Sequence, residues 1–411
     1  MLPLLSAVEE RRHGRRTPDT IRMMRFVAVP LLCALAAPAA AQSLQFHGFL
    51  TAREIYVKAQ PSWTQGGFGR FDVGAQTPDD HRNVNVEIAQ LGVDWTPTTW
   101  MLIQADGIAR REPSGTIGKR AGLLQGFVDL HSERWRLRAG AFWLPTSREN
   151  IDPLWTSPYA ITNSALNSWI GEEFRPLGAD LQFSPNFYIT LGATAFRGND
   201  TMGTELSARG WPFGNRLTVY NEGLPQALRE ERTKPIAHDL DGKNGYSERI
   251  RVQLPERAML QFTHIDNRAT LGPKVYGQTP WLTKFNVIGA TLGTTGPTTL
   301  AAEWARGWTE LAFPGGRFKL DFDTAYVLLS RKRGADRWTA RVDRFSTRNH
   351  AKPDPDFSRE NGHAVTIAWL RDVREHVRAG LEYARVKGDR PAAPDPRTGG
   401  STITAELRYA F

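Results

Sequence analysis

Cysteine is almost missing from this 411-residue chain: the single one, Cys33, sits near the N-terminus. Disulfides and thiolate metal centres are therefore excluded for everything beyond it. Long apolar runs are missing too. No stretch of 18 apolar residues occurs, so no membrane helix is expected, and the mean hydropathy of −0.42 is that of a water-soluble chain. Lysine is scarce, with ten against 42 arginines, and the basic residues are spread over most of the chain. Nucleic-acid binding would want them clustered with aromatics on one face, so it is excluded.

What is present begins with a leader. Phe26 to Ala41 is a run of 16 residues without charge, preceded by Arg22 and Arg25 and closed by Ala39-Ala40-Ala41 before Gln42. This reads as a secretory signal peptide within residues 1–41. Arg11-Arg12 and Arg15-Arg16 stand too far ahead of the apolar run for a twin-arginine signal, which favours a true start at Met23 or Met24. Leu32 precedes Cys33 where a lipid-anchor site would have a small residue, so Cys33 reads as an incidental apolar residue. The leader accounts for +3 of the net charge of +9. Residues 42–411 show no linker or composition shift and read as one domain.

That domain falls into sixteen short segments of two-residue hydrophobic alternation, expected over 44–57, 83–95, 100–110, 122–131, 135–143, 176–184, 187–196, 246–254, 258–266, 283–293, 298–308, 318–330, 336–346, 363–370, 376–386 and 401–411. Short and long connections alternate between them. The short ones are Thr96 to Thr99, Ser132 to Arg134, Ser184 to Asn186, Pro255 to Arg257, Thr294 to Pro297, Arg331 to Ala335 and Arg371 to Glu375; the longest are Leu144 to Arg175 and Arg197 to Gly245. A soluble sandwich has no reason to make every second turn minimal. A closed antiparallel transmembrane barrel, threaded from one side of an outer membrane, has tight periplasmic turns and long outer loops. An even strand number puts both termini at the tight-turn end, and sixteen strands enclose a lumen wide enough for an aqueous channel. Trp95, Trp100, Trp135, Phe183, Phe187, Trp338 and Trp369 crowd the short turns, as an interfacial aromatic girdle does.

Parity then assigns faces. Ile403, Ala405, Leu407, Tyr409 and Phe411 share one face of the last strand, opposite Thr404, Glu406 and Arg408. Trp135, Leu137, Ala139, Ala141 and Trp143 face outward on the fifth, with Arg136 and Arg138 inward. Candidate pore-lining residues are Arg136, Arg138, Asp180, Arg249, Arg251, Glu303, Arg341 and Asp343; Arg378, Arg408, Asp129, Asp321, Asp323, Glu382 and Glu406 also read as inward, which leaves no strong charge bias. The loop from Leu144 to Arg175 carries Arg148, Glu149, Asp152, Glu172, Glu173 and Arg175 and is the candidate constriction. Outer-membrane lipid and small ions or solutes are the expected partners, with no cofactor.

Gly140-Ala141-Phe142-Trp143-Leu144-Pro145, Arg148-Glu149-Asn150, Ser164-Ala165-Leu166-Asn167-Ser168, Glu172-Glu173 and Gly178, with Arg209-Gly210-Trp211, Asp241-Gly242 and Arg341-Val342-Asp343-Arg344-Phe345, resemble the phosphate-selective porin O and P family over nearly the whole domain. The resemblance implies a sixteen-stranded, homotrimeric porin that passes small anions by diffusion, with the loop after strand five folded inward. The selective members guide anions along lysines, and the lysine poverty here puts phosphate selectivity in doubt. The ending on Tyr409 and Phe411 resembles the signal read by the barrel assembly machinery. A second class stays open: a barrel whose loops serve adhesion or hydrolysis. His47, His81, His131, His238, His264, His350, His363 and His376 are scattered outside any serine signature, so no enzyme is expected. A Ca²⁺ loop at Asp239 to Gly245 is disfavoured because Lys243 takes the place of a third oxygen ligand.

Overall fold

A computed structural model describes residues 43–226, 232–350, 358–391 and 398–411. The leader expected over residues 1–41 lies outside them. The chain forms one closed antiparallel barrel of sixteen strands, each paired with its sequence neighbours and the last with the first. They are β1 Ser43–Lys58, β2 His81–Thr98, β3 Met101–Arg111, β4 Ala121–His131, β5 Trp135–Ala141, β6 Leu177–Phe183, β7 Ile189–Arg197, β8 Asn244–Leu254, β9 Ala258–Asp266, β10 Leu282–Leu292, β11 Thr298–Phe313, β12 Gly316–Arg333, β13 Asp336–Asn349, β14 Glu360–Arg374, β15 Val377–Asp389 and β16 Gly400–Ala410. Every expected strand is present and all seven expected short turns join the strands foreseen.

Alternation builds the wall because successive side chains of a strand point to opposite faces. Outward residues are apolar and exposed over a band near the short-turn end: Leu50 is 54 % exposed, Leu260 54 %, Leu329 52 % and Leu407 56 %. A water-soluble monomer rarely shows so continuous an apolar surface, whereas a lipid-facing wall requires it. No helix among the described residues is long and apolar enough to cross a membrane. The girdle stands at the short-turn end, where Trp135 stacks on Phe183 at 4.3 Å and Trp338 lies 6.0 Å from Trp369.

Three expectations are corrected here. The loop between β11 and β12 is not long: both strands continue past the apolar band and meet in the turn Pro314-Gly315, with Gly315 at φ 92°. In the extensions the alternation is reversed, with Arg317, Lys319 and Asp321 outward and Phe318 and Leu320 inward, so parity that takes the apolar face as the outer one assigns the wrong face. Asp321 and Asp323 face outward, since Leu320, Phe322 and Thr324 fill the inward positions. Finally, β5 ends at Ala141, and Trp143 is not a lipid-facing residue. The chain turns inward after Gly140, whose φ of 136° and close approach to Gly126 O leave no room for a side chain, and Trp143 stacks on Trp155 at 4.1 Å inside the barrel.

The lumen is filled over its long-loop half. Segments 59–80, 142–176, 198–226 and 232–243 fold into it, carrying helix α1 (Ala165–Glu173) and the single turn α2 (Thr204–Arg209). All nine residues of α1 are buried. Trp169 lies 5.1 Å from both Phe285 of β10 and Phe322 of β12, and 5.6 Å from Trp211. With Phe127, Phe174, Phe196, Phe213 and Phe345 they make one apolar core inside the barrel.

Candidate functional site

Charges on the far wall hold the inserted loop. Arg341 of β13 is fully buried; it pairs with Glu149 of the loop, with Asp343 at 3.0 Å, and donates to Thr162 O at 2.7 Å and Asn163 O at 2.9 Å. Asp343 accepts Ala165 N–H at 3.2 Å, Glu382 of β15 accepts Ile161 N–H at 2.6 Å, and Glu303 of β11 accepts Asn167 Nδ2 at 3.0 Å and Tyr326 Oη at 2.5 Å. Glu149 also accepts Ser164 N–H at 2.9 Å, and Ser164 caps α1 by accepting Asn167 N–H at 3.2 Å. Three strands thus spend their inward charges on one loop, each buried charge finding a partner, as burial demands.

The loop charges are not displayed to an open lumen. Arg148, Glu149, Glu172, Glu173 and Arg175 are all buried; only Asp152 is half-buried, beside a cavity of about 710 Å³ at the short-turn mouth. Glu172 and Glu205 share Arg209, while Glu173 accepts Trp169 Nε1 at 2.5 Å and the backbone N–H groups of Gly203 and Glu205. Burial pushes Glu172 up to about 7 and Glu205 to about 8. It lowers Arg175, stacked 4.0 Å over Trp143, to about 10. Apart from Asp152, the charges of the candidate constriction loop are packed inside the barrel.

Arginines remain toward the short-turn end. Across β4 to β8, Asp129 accepts from Arg136 at 2.7 Å and Arg138 at 3.0 Å, and Asp180 accepts both contacts of Arg249 at 3.1 Å and Thr194 Oγ1 at 2.6 Å. Among the described residues Arg251 has only Thr190 Oγ1, at 3.2 Å, and Arg148 packs from the loop beside Met259 and Gln261. Four wall guanidinium groups meet two carboxylates, and the Arg136 side chain stays 44 % exposed. On the opposite wall Glu406 takes Arg53 at 2.7 Å, Arg378 at 3.3 Å and Arg408 at 3.5 Å. The balanced tally of the sequence thus resolves by position: acids on β11, β13 and β15 go to the loop, and cations dominate where the lumen stays open.

Between loop and wall on the β1–β3 side lies a crevice of about 30 Å³, lined by Arg53, Asp72, Arg110, Glu112 and Arg216 among others, room for roughly one water. Desolvation raises Asp72 to about 6. Sequence reasoning missed Arg53, Arg110, Arg209 and Arg216, and with them Glu222, which pairs with Arg110 at 3.0 Å and Arg216 at 2.7 Å. Arg53 was within reach of β1 parity, but Ile55 and Val57 on the same face read as outward; the others lie on strand ends and in loops without period.

Asp200, Asp239 and Asp241 converge, yet their oxygens accept backbone N–H groups of Leu240, Gly242, Lys243 and Thr270, and Arg197 lies 3.3 Å from Asp239. They organise a turn. His47, His131 and His350 approach Asp94, Asp129 and Asp321, and no hydrogen bond joins them to a serine among the described residues.

No family model and no curated protein sequence matches the chain. Solved structures do. The outer membrane channel DcaP of Acinetobacter baumannii superposes with a TM-score of 0.59 at 12 % identity, covering 91 % of this chain and 99 % of that one. The anion-selective porin from Comamonas acidovorans gives 0.56 at 11 %, covering 90 % and 100 %; the trimer form of the outer membrane protein OmpT of Vibrio cholerae gives 0.55 at 9 %, with the same coverage. At these identities the likeness is one of fold. The chain has the closed sixteen-stranded barrel of these outer-membrane proteins, with the long-loop half of its lumen filled by its own loops.

Proposed function

We propose that the protein is a porin of the Gram-negative outer membrane that passes small hydrophilic solutes, anions in preference, by diffusion along a narrow path beside its inserted loop. The observation that carries this is the group Arg136, Arg138, Arg249 and Arg251 against Asp129 and Asp180, at the end where the lumen stays open. An excess of cations in a low-dielectric cleft raises the local concentration of anions. Guanidinium, planar and permanently charged, suits carboxylate and phosphate oxygens, so the poverty in lysine does not argue against anions as a class.

The apolar belt and girdle support the membrane location, with long loops outside and short turns in the periplasm; the leader supports export. A homotrimer fits the flat outward face of β3 to β7, where Ala105, Gly107, Ala109, Gly126, Ala139, Ala179, Ala193 and Ala195 leave little relief. The test is the reversal potential of the purified protein in a planar bilayer across a KCl gradient. Chloride preference with small unitary conductance is expected, and Arg136→Glu with Arg138→Glu should move the potential towards potassium. Absence of conductance from a well-folded barrel would sink the reading.

A further inference from the structure

On the outward face of β13 to β15, directly above the apolar band, the register sets bases opposite bases. Trp338, Trp369 and Leu381 form one cross-strand row, Ala340, Ile367 and Tyr383 the next, then Val342, Val365 and Arg385, then Arg344, His363 and Lys387. Arg344, His363, Arg385 and Lys387 are exposed, as are Arg348 and Arg359 just beyond. None of these six side chains makes an ion pair or hydrogen bond among the described residues. Asp321, which lies opposite Arg348, is engaged by His350. Opposed residues of an antiparallel pair stand about 5 Å apart, and like charges there are destabilising. Elsewhere on the exterior some outward cations at this level have acids: Lys284 meets Asp266 at 2.8 Å, and Arg111 meets Glu87 at 3.4 Å.

We infer that this row is a binding site for the phosphate-bearing headgroup of a lipid in the leaflet on the long-loop side. The placement decides the occupant. One register step below the row, Val342 and Val365 belong to the acyl-chain surface, so the cationic tips of Arg344 and Lys387 stand at headgroup height, where long side chains extend to the interface. A phosphate bridging Arg344 and Lys387 removes their mutual repulsion and supplies the acceptors that the protein does not. The inference rests on the barrel being embedded in lipid and is independent of its conducting ions.

The experiment uses the folded full-length barrel in dodecyl maltoside and native mass spectrometry with bis-phosphorylated lipid A, lipid A lacking its phosphates, and inorganic phosphate as probes. Wild type should retain bis-phosphorylated lipid A alone. Arg344→Gln with Lys387→Gln should weaken that retention by about tenfold or more, whereas Lys58→Gln with Arg197→Gln, outward cations outside the row, should leave it unchanged. Single Arg344→Gln and Arg385→Gln keep the question answerable if the double variant folds poorly. Equal retention in both double variants, competition by inorganic phosphate, or a loss of oligomer with lipid retention intact would overturn the proposal, the last by making the face a subunit contact. Failure of the wild-type barrel to enter phosphatidylcholine vesicles would instead strike the membrane reading, and unchanged conductance of the variants separates both from the channel reading.

Discussion

Phe411 closes the barrel against Gly48: each backbone N–H donates to the other's carbonyl at 3.0 Å, and a side chain on Gly48 would come within 2.8 Å of the Phe411 ring. Gly48 lies in the outward row of β1 with Phe46 and Leu50, so the ring covers the gap that a glycine leaves in the lipid-facing wall. Tyr409 stands 6.2 Å away in the same row.

Deleting Phe411 should therefore leave the precursor exported and sharply reduce the folded form, both through the lost seam and through the recruiting aromatic. Gly48→Val should reproduce the seam defect with the terminus intact. Gel shifts of unheated outer-membrane samples measure both, and a normal level of heat-modifiable barrel without Phe411 would refute the assignment.

The two faces of β5 should respond oppositely. Leu137 is 39 % exposed on the outer wall, and arginine there should cost roughly 2–4 kcal/mol if it lies near the bilayer midplane. Arg138→Glu sets a carboxylate beside Asp129, so a small loss of stability and a shift towards cations are expected. Urea titration in lipid vesicles and bilayer reversal potentials give the two readouts; tolerance of Leu137→Arg with failure of Arg138→Glu would mean the faces are inverted.

Arg341→Met strands Glu149 and Asp343 in the lumen, where breaking a buried pair typically costs about 3–5 kcal/mol. The outer wall is untouched, so the barrel should still insert while the segment from Leu144 to Arg175 loosens. Single-channel conductance should rise and become noisier, as it should when the segment between Ile151 and Trp169 is shortened. Glu172→Gln with Glu173→Gln should change selectivity little, since neither carboxylate faces an open path; a large shift in reversal potential would return them to the pore.

Stability of the inserted core should fall as pH rises from about 4.5 through 7 to 8. Glu172 and Glu205 hold their protons more tightly when folded, with values of about 7 and 8 against an ordinary 4.5. Their contribution is complete below the ordinary value and is lost as both ionise beside Glu173, with Arg209 and, more distantly, Arg216 as the counter-charges. Proteolysis of the loops in folded vesicles at pH 5 and pH 8.5 measures it: faster cutting at pH 8.5 is expected, and Glu205→Gln should flatten the difference.

Strand number, outward face and girdle were legible in the sequence because lipid imposes one rule on every wall strand: alternate residues apolar, aromatics at the interface. Leu260, Leu329 and Leu407 obey it without reference to anything distant in the chain. The lumen obeys no such rule. Phe285, Phe322 and Phe345 face inward although they are apolar, because Trp169 and Trp211 arrive there from loops far away in sequence, and a stretch with apolar residues on both faces, such as Phe49 to Val57, loses the contrast that parity needs. Arg341 and Asp343 were legible as inward residues; that they grip Glu149 and the start of α1 rather than face passing ions was decided only when closure of the barrel set β13 against the loop after β5.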